Sequence, residues 1–241
     1  MVKKGFPMFK QLCIIALSVV ALSAQELHFK STQDKTMLIE LYSSEGCSSC
    51  PRAEKWLNAF THNPAVFKTV IPLAFHVSYW NRLGWNDVFA KSSFDERQRD
   101  YRAMGHTSSV YTPQFVVNAQ EYRGWFEGEP LSLPEQKSGI LEANIDKERV
   151  SVSYQDSTKN YTLHSALLGF GLVSQVKNGE NGGRILEHDF VVLEHKSESF
   201  NKGHRVSTKL SSSVIAKRYA YVIWLSEPDT GAIIQATGGW L

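Results

Sequence analysis

The chain has 241 residues, with 26 lysines and arginines against 24 aspartates and glutamates. A formal net charge of +2 gives no reason to expect nucleic acid as a partner. With 21% charged and 12% aromatic residues the chain is not disordered, and three cysteines are too few for a disulfide scaffold.

The first 24 residues have the layout of a secretory signal peptide. Three lysines lie near the start, residues 12–22 are almost wholly apolar, and small residues follow at Ser23 and Ala24. The apolar run is about half the ~20 residues that a membrane-spanning helix needs, although an uncleaved anchor is the alternative. Cleavage would remove three lysines and no acid, leaving 23 basic against 24 acidic residues and a formal charge of −1. We therefore expect an exported protein, periplasmic or secreted, with no membrane span after cleavage and two cysteines.

Strands and helices alternate along the next part of the chain, which we take as a domain over residues 25–146. Apolar runs predict strands at 37–42 and 70–77, and apolar residues three and four apart predict helices at 51–60 and 93–104. Arg97 alternates with acids on the second helix, which is typical of a solvated face. Three further predicted elements are a strand at 115–118, its hairpin partner at 122–125 and a helix at 132–143.

From residue 147 to 241 the helical period disappears. Apolar and polar residues alternate, and turn-forming segments separate the runs. The predicted strands are 150–154, 161–173, 185–194, 205–210, 219–225 and 232–236. This half is predicted to be all-β, a small sandwich or an antiparallel sheet.

Cys47 and Cys50 form a CxxC motif between a predicted buried strand and a predicted helix. Free N–H groups and the positive end of the helix dipole favour a thiolate at that place. We predict that Cys47 attacks a partner and that Cys50 resolves the mixed disulfide. No cofactor is needed, because the electrons reside in the cysteine pair. The expected partner is a protein or small molecule that carries a thiol or disulfide.

Two alternatives stay open for the same cysteines. Soft thiolates suit Cu(I), so Cys47 and Cys50, with His76 as a further ligand, could form a metal-binding or metal-delivery module. A zinc site needs four ligands, and the histidines at 62, 76 and 106 show no ligand spacing, so we predict no metal site of that kind. The disulfide could also be structural, in a binding protein without catalysis.

Pro113 begins a predicted strand about sixty residues after the CxxC, where thioredoxin-like domains carry a cis-proline. A cis bond would present the backbone of Thr112 to a peptide that binds beside Cys47 as an added strand. The alternative is an ordinary trans proline at the entry to an edge strand. Together with the CxxC, the pattern favours cis.

His76, Trp80 and Trp85 follow the second predicted strand, at the sheet edge that also carries the CxxC. One interpretation makes them a wall of the substrate groove, with His76 as an electrostatic or proton-transfer partner of Cys47. The other makes them packing residues, since aromatic side chains mostly belong to cores.

Three sequence blocks and a fourth, shorter segment resemble the DUF1223 family. The blocks are residues 40–51 (ELYSSEGCSSCP), 73–85 (LAFHVSYWNRLGW) and 109–118 (SVYTPQFVVN), and the segment is 179–184 (GENGGR) with Leu186, His188 and Val191. The resemblance covers about residues 36–236. It implies an exported bacterial protein with a thioredoxin-like fold and no settled function. This chain departs from the family at Ser78 and Asn81, where aspartates are common.

The expected fold is thus an α/β thioredoxin-like domain followed by an all-β C-terminal domain or extension. The expected function is that of an exported thiol–disulfide oxidoreductase. The predicted substrate-binding residues are Thr112, Pro113, His76, Trp80 and Trp85.

Overall fold

A computed structural model describes most of the chain, namely residues 1, 26–146, 149–156, 159–201 and 204–241, the side chains of 204–208 excepted. The predicted leader, residues 1–24, lies outside the described residues apart from Met1. None of the helices in the described part is long and apolar enough to cross a membrane.

Among the described residues before 140 there are five strands and two α-helices, with short 3-10 turns between some of them. They are β1 (Leu27–Lys30), β2 (Met37–Ser43), α1 (Cys50–Asn58), β3 (Val70–His76), α2 (Ser92–Ala103), β4 (Gln114–Val117) and β5 (Gln120–Tyr122). The 3-10 turns span Ala59–His62, Asn81–Leu83 and Gly124–Phe126.

The described elements after residue 140 are all strands. They are β6 (Leu141–Asp146), β7 (Arg149–Tyr154), β8 (Tyr161–Phe170), β9 (Leu172–Gln175), β10 (Ile185–His188), β11 (Val191–Phe200), β12 (His204–Thr208), β13 (Arg218–Ser226) and β14 (Ile233–Trp240). The described part of this half therefore contains strands and no helix.

Eight strands from both halves of the chain form one mixed sheet, in the order β14-β13-β8-β11-β3-β2-β4-β5. The pairs β2–β3 and β3–β11 are parallel, and the others are antiparallel. The halves meet where Val191 of β11 lies opposite Ala74 of β3. A four-stranded sheet (β1-β6-β7-β12) and the hairpin β9–β10 complete the architecture.

The large sheet is covered on both faces. Along β13, Val222 and Trp224 face the core that also contains residues of α1 and α2. The alternate residues Tyr221 and Ile223 face a second core against the four-stranded sheet. Successive side chains of a strand point to opposite faces, so a strand covered on both sides reads as a continuous apolar run.

The predicted fold class, an α/β thioredoxin-like domain followed by an all-β domain, is wrong. Strand makes up 41% of the structure and helix 15%, with two α-helices and a large mixed sheet. The physical reason is that β8, β11, β13 and β14 extend the sheet of β2 and β3 at the edge where β11 meets β3. The paired strands, not the helices, dominate the architecture.

The predicted helix at 132–143 is also wrong, because its last residues belong to β6. Leu141, Ala143 and Ile145 are buried while Glu142 and Asn144 are half-buried, which is the two-residue period of a strand. This segment pairs with β7, the next strand in the chain, and with β1, which lies more than 100 residues earlier.

Candidate functional site

Cys47 and Cys50 lie where β2 leads into α1. Cys50 is the first residue of α1, and the two residues are joined by a disulfide with their Cα atoms 5.4 Å apart. Both cysteines are buried, at 1% and 0% exposure, whereas Ser48 and Ser49 between them are exposed. The Oγ of Ser49 lies 3.3 Å from the Cys47 Sγ. The two serines are thus the outer surface of the motif.

A groove of about 750 Å³ runs beside the exposed serines. Ser48 and Ser49 line one side of it, and Thr112 and Pro113 line another. The Thr112–Pro113 peptide bond is cis, as the sequence pattern favoured. The structure therefore brings the predicted Thr112–Pro113 pair to the same groove as the CxxC loop.

The groove is both aromatic and basic. Trp125 and Phe126 line it, and the guanidinium of Arg52 lies 4.4 Å from the centre of the Phe126 ring. Arg123 and Arg184 also line it, and none of its described lining residues is acidic. Such a surface suits a partner with carboxylates and apolar groups.

The predicted residues Trp80 and Trp85 hold the loops around the motif. Trp80 Nε1 donates a 2.7 Å hydrogen bond to the Thr112 Oγ1, and a Cβ added at Gly46 would lie 3.2 Å from the Trp80 Cβ. Trp85 Nε1 donates a 2.6 Å hydrogen bond to Glu45. Trp80 thus connects the residue before Cys47 to Thr112, while neither tryptophan is part of the groove lining.

The loop between β9 and β10 covers the CxxC loop from the C-terminal half. The buried Asn181 donates from Nδ2 to the backbone oxygens of Glu45 (2.8 Å) and Cys47 (2.9 Å). Glu180 accepts a 2.9 Å hydrogen bond from the Ser48 N–H. Hydrogen bonds between this loop and the CxxC loop therefore contribute to the burial of the cysteines.

A buried polar cluster lies next to the CxxC loop. His188 Nδ1 lies 2.5 Å from the Glu54 Oε2, and His188 Nε2 lies 3.1 Å from the Glu45 Oε1. Ser43 also hydrogen-bonds to Glu54. Glu54 is one turn along α1 from Cys50, and Glu45 is two residues before Cys47. The cluster is thus attached to both ends of the motif.

His76 belongs to this cluster and not to the groove wall. Its ring is fully buried at the end of β3, with Nδ1 2.7 Å from the Asp87 Oδ2. Asp87 also accepts hydrogen bonds from the backbone N–H groups of Glu45 and Phe89. Nε2 of His76 is buried with no hydrogen-bond partner among the described residues.

Electrostatics in the cluster favour charged forms despite burial. Burial lowers the pKa of His188, but Glu54 and Glu45 outweigh it and raise that pKa to about 10. Burial raises the pKa of Glu54, yet the charge of His188 holds it below its usual value. In the same way, Asp87 raises the pKa of His76 against burial, and His76 lowers that of Asp87.

Sequence reasoning missed Glu45, Glu54, Asp87 and Asn181, and it did not link His188 to the motif. One signal was available for Glu54. It lies between Ala53 and Leu57 on the buried stripe of α1, where a carboxylate needs a partner. Asn181 gave no such signal, because its partners are more than 130 residues away.

The two departures from the family pattern have defined partners here. Ser78 donates from its N–H and Oγ to the Asp95 carboxylate of α2, at 2.6 and 2.7 Å. Asn81 accepts a 3.1 Å hydrogen bond from the Asp87 N–H, which helps to fix the loop that carries Asp87. Ser78 therefore acts on α2, and Asn81 acts on the buried cluster.

The sequence model of a family described as "Protein of unknown function (DUF1223)" matches residues 38–226. The match spans well over half of the chain, so the chain belongs to the DUF1223 family, as its sequence blocks predicted. No curated protein matches the chain.

Two solved structures are similar to this one. A crystal structure of a protein from Agrobacterium tumefaciens is 23% identical with a TM-score of 0.61, covering 86% of this chain and 95% of that one. HBP35 of Porphyromonas gingivalis is 16% identical with a TM-score of 0.55, covering 88% of this chain and 76% of that one. At these identities the likeness extends to the fold alone.

Proposed function

We propose that this protein is a thiol–disulfide oxidoreductase that uses the Cys47–Cys50 pair on proteins or small molecules with a thiol or disulfide. The observation that carries the proposal is the position of the pair. It lies at the start of α1, and the two serines it encloses line a groove shared with Thr112 and Pro113. A helix start stabilises a thiolate, which is the reactive form of cysteine.

The exchange needs only the two cysteines and the partner's two sulfurs. When the pair is reduced, the Cys47 thiolate attacks a partner disulfide, forms a mixed disulfide and releases one partner thiolate. The Cys50 thiolate then attacks the Cys47 sulfur and releases the second partner thiolate. Two electrons pass to the partner, and the Cys47–Cys50 disulfide remains. The same steps in reverse oxidise a dithiol partner.

The groove supplies the contacts that would hold the partner. Its arginines favour carboxylates near the exchanging sulfur, and Trp125 and Phe126 offer apolar surface. Because both cysteines are buried, the partner's sulfur reaches Cys47 only when the loop carrying Asn181 moves away from it. The role of His76 in this scheme is electrostatic and indirect, since its ring lies in the buried cluster.

The test is a titration of the cysteine pair against a glutathione redox buffer, with reduction of insulin disulfides measured alongside. We expect the pair to equilibrate with glutathione. Cys47→Ser should lose at least ~100-fold in exchange rate, since it removes the nucleophile. Cys50→Ser should accumulate a mixed disulfide, because the resolving thiol is gone.

Other outcomes would favour the other two interpretations of the motif. Full activity of Cys47→Ser would make the mechanism wrong. A pair that does not react with alkylating agents after mild reduction would be a structural disulfide. Stoichiometric Cu(I) retained by the reduced protein and lost in Cys47→Ser would indicate a metal-binding module.

A further inference from the structure

We propose that Glu54, His76 and His188 form a binding site for one divalent transition-metal ion, with Zn²⁺ as its best-matched occupant. The site is separate from the cysteine pair, and the proposal does not depend on the redox function. The sequence pattern did not indicate this buried site, because its three residues come from α1, β3 and β10, which are far apart in the chain.

The three side chains already place ligand atoms together. One carboxylate oxygen of Glu54 and one ring nitrogen from each histidine all lie within 4.8 Å of one another, and all three residues are buried. In a tetrahedral zinc site neighbouring ligand atoms lie about 3.3 Å apart, as follows from bonds of about 2.0–2.1 Å. Zinc would replace the 2.5 Å hydrogen bond between His188 Nδ1 and Glu54 with two metal bonds.

His76 supplies the independent observation. Its Nδ1 is engaged by Asp87, while its Nε2 is fully buried and has no partner in the described part of the chain. An unpartnered buried nitrogen is unfavourable, because it has lost its hydrogen bonds to water and gained none in return. A metal ion bound at Nε2 would satisfy this atom, and hydrogen bonds within the cluster do not.

The surrounding carboxylates are arranged as metal sites arrange their outer partners. Asp87 hydrogen-bonds the Nδ1 of His76, and Glu45 hydrogen-bonds the Nε2 of His188. A ligating imidazole usually donates its second N–H to such a carboxylate, which fixes the ring and its tautomer. His76 therefore has Nδ1 held by an acid and Nε2 without a partner among the described residues. His188 has Nε2 held by Glu45, and its Nδ1 becomes available when the metal takes the place of the hydrogen bond to Glu54.

Charge and donor type point to the class of metal. Three buried carboxylates, from Glu45, Glu54 and Asp87, surround two imidazoles and favour a cation. Two imidazoles and one carboxylate suit zinc, and three protein ligands leave one tetrahedral position for water or a substrate atom. Phe89 packs against both imidazole rings, with centroids 5.4 Å away, and excludes solvent.

The experiment uses the full chain with its disulfide intact. Because the site is buried, the protein is unfolded in a chelator and refolded with or without Zn²⁺ alone, and bound metal is counted after gel filtration. We expect one zinc per chain, X-ray absorption showing nitrogen and oxygen but no sulfur, and a higher thermal midpoint. The double variant Cys47→Ser/Cys50→Ser should bind the same amount, which separates this site from thiolate binding.

Two graded variants and one control complete the test. His76→Asn keeps a donor toward Asp87 but removes Nε2, and should weaken zinc binding by at least ~100-fold, while Asp87→Asn should weaken it by roughly 10–100-fold. His62→Asn, on an exposed histidine, should change nothing. Zinc binding that survives His76→Asn, sulfur in the absorption spectrum, or failure of the wild-type chain to take up zinc would overturn the proposal. If His76→Asn does not fold, the wild-type stoichiometry and spectrum decide alone.

Discussion

The carboxylate of Glu40 is buried in β2 and is held by side chains from two elements. Arg97 of α2 binds it with two hydrogen bonds of 2.8 Å, from Nε and Nη2. Tyr101 and Tyr42 donate to it at 2.6 and 2.9 Å. All of its acceptor positions are thus used, so the cost of burying the charge is offset.

Removing the Arg97 side chain should lower the free energy of unfolding far more than removing a surface cation. Arg97→Met leaves the Glu40 carboxylate buried without its counter-charge, and we expect a loss of about 3–5 kcal/mol in the free energy of unfolding. Urea denaturation measures this. The matched control is Lys30→Met, whose partner Glu142 is partly exposed, with an expected loss of under about 1 kcal/mol. Equal losses in the two variants would contradict the argument.

At the residue scale the sequence predicted the cis Thr112–Pro113 bond, but it did not predict which charged side chains are buried. The bond could be predicted because its signal, a proline at a strand start after a CxxC motif, lies in short sequence segments. The prediction that Arg97 lies on a solvated face is wrong, since its side chain is only 13% exposed. Its partner Glu40 is 57 residues away, and no local pattern shows such a pair.

The hairpin β9–β10 is the element that links the C-terminal half to the cysteines. The loop of this hairpin lies over the CxxC motif. It is held there by Asn181, whose side-chain amide donates hydrogen bonds to the backbone oxygens of Glu45 and Cys47. Two carbonyls would lose these hydrogen bonds if Asn181 were truncated. The hairpin should therefore control how fast external thiols reach the disulfide.

Asn181→Ala should speed reduction of the disulfide by dithiothreitol roughly 5- to 150-fold. This range corresponds to the ~1–3 kcal/mol that a lost buried hydrogen bond contributes to keeping the loop closed. The rate can be followed by trapping free thiols and weighing the products by mass spectrometry. Asn144→Ala, which removes only an exposed hydrogen bond to His28, is the control. A hairpin variant no faster than that control would show that the loop does not limit access.

Elements with a strong local pattern were predicted within about two residues. The strand expected at 37–42 is Met37–Ser43, and the helix expected at 51–60 is Cys50–Asn58. β1 was missed because it has four residues and owes its conformation to pairing with β6, more than 100 residues later. Short strands of this kind depend on their partners more than on their own sequence.

On the scale of the whole molecule, the mixed sheet could not be predicted from the sequence. The expectation of separate α/β and all-β parts followed from the change of pattern near residue 147. The pairing of β11 with β3 rests on one register position, Val191 opposite Ala74, and joins residues more than 100 apart. Neither strand's own sequence specifies which edge it will join.

The stability of the whole chain should fall in mild acid because of two histidines inside it. Burial and the nearby Arg97 lower the pKa of His195 to about 3, and burial likewise lowers that of His164. In the unfolded chain these histidines bind protons near the ordinary histidine pKa of 6.5. Their contribution to the free energy of unfolding is therefore complete above pH 6.5 and is lost progressively as the pH falls toward 3. The slope should be no more than about 1.4 kcal/mol per pH unit for each histidine.

Urea denaturation at pH 7, 6 and 5, chosen to span the upper part of this window, measures the slope. His195→Asn should make the free energy of unfolding depend less on pH than in the wild type. His62→Asn, on an exposed side chain, should leave the slope unchanged. Identical slopes in all three proteins would show that His195 does not set the acid sensitivity.

The hydrogen bond from Asn181 to Cys47 can form only late in the synthesis of the chain. The two residues are 134 positions apart, so the cysteines leave the ribosome well before their cover is made. At usual rates of synthesis this interval is on the order of ten seconds. During it the loop that carries Asn181 does not yet cover the cysteines, so external thiols and oxidants reach them without the barrier present in the folded protein. The pair should therefore react faster in the chain under synthesis than in the folded molecule.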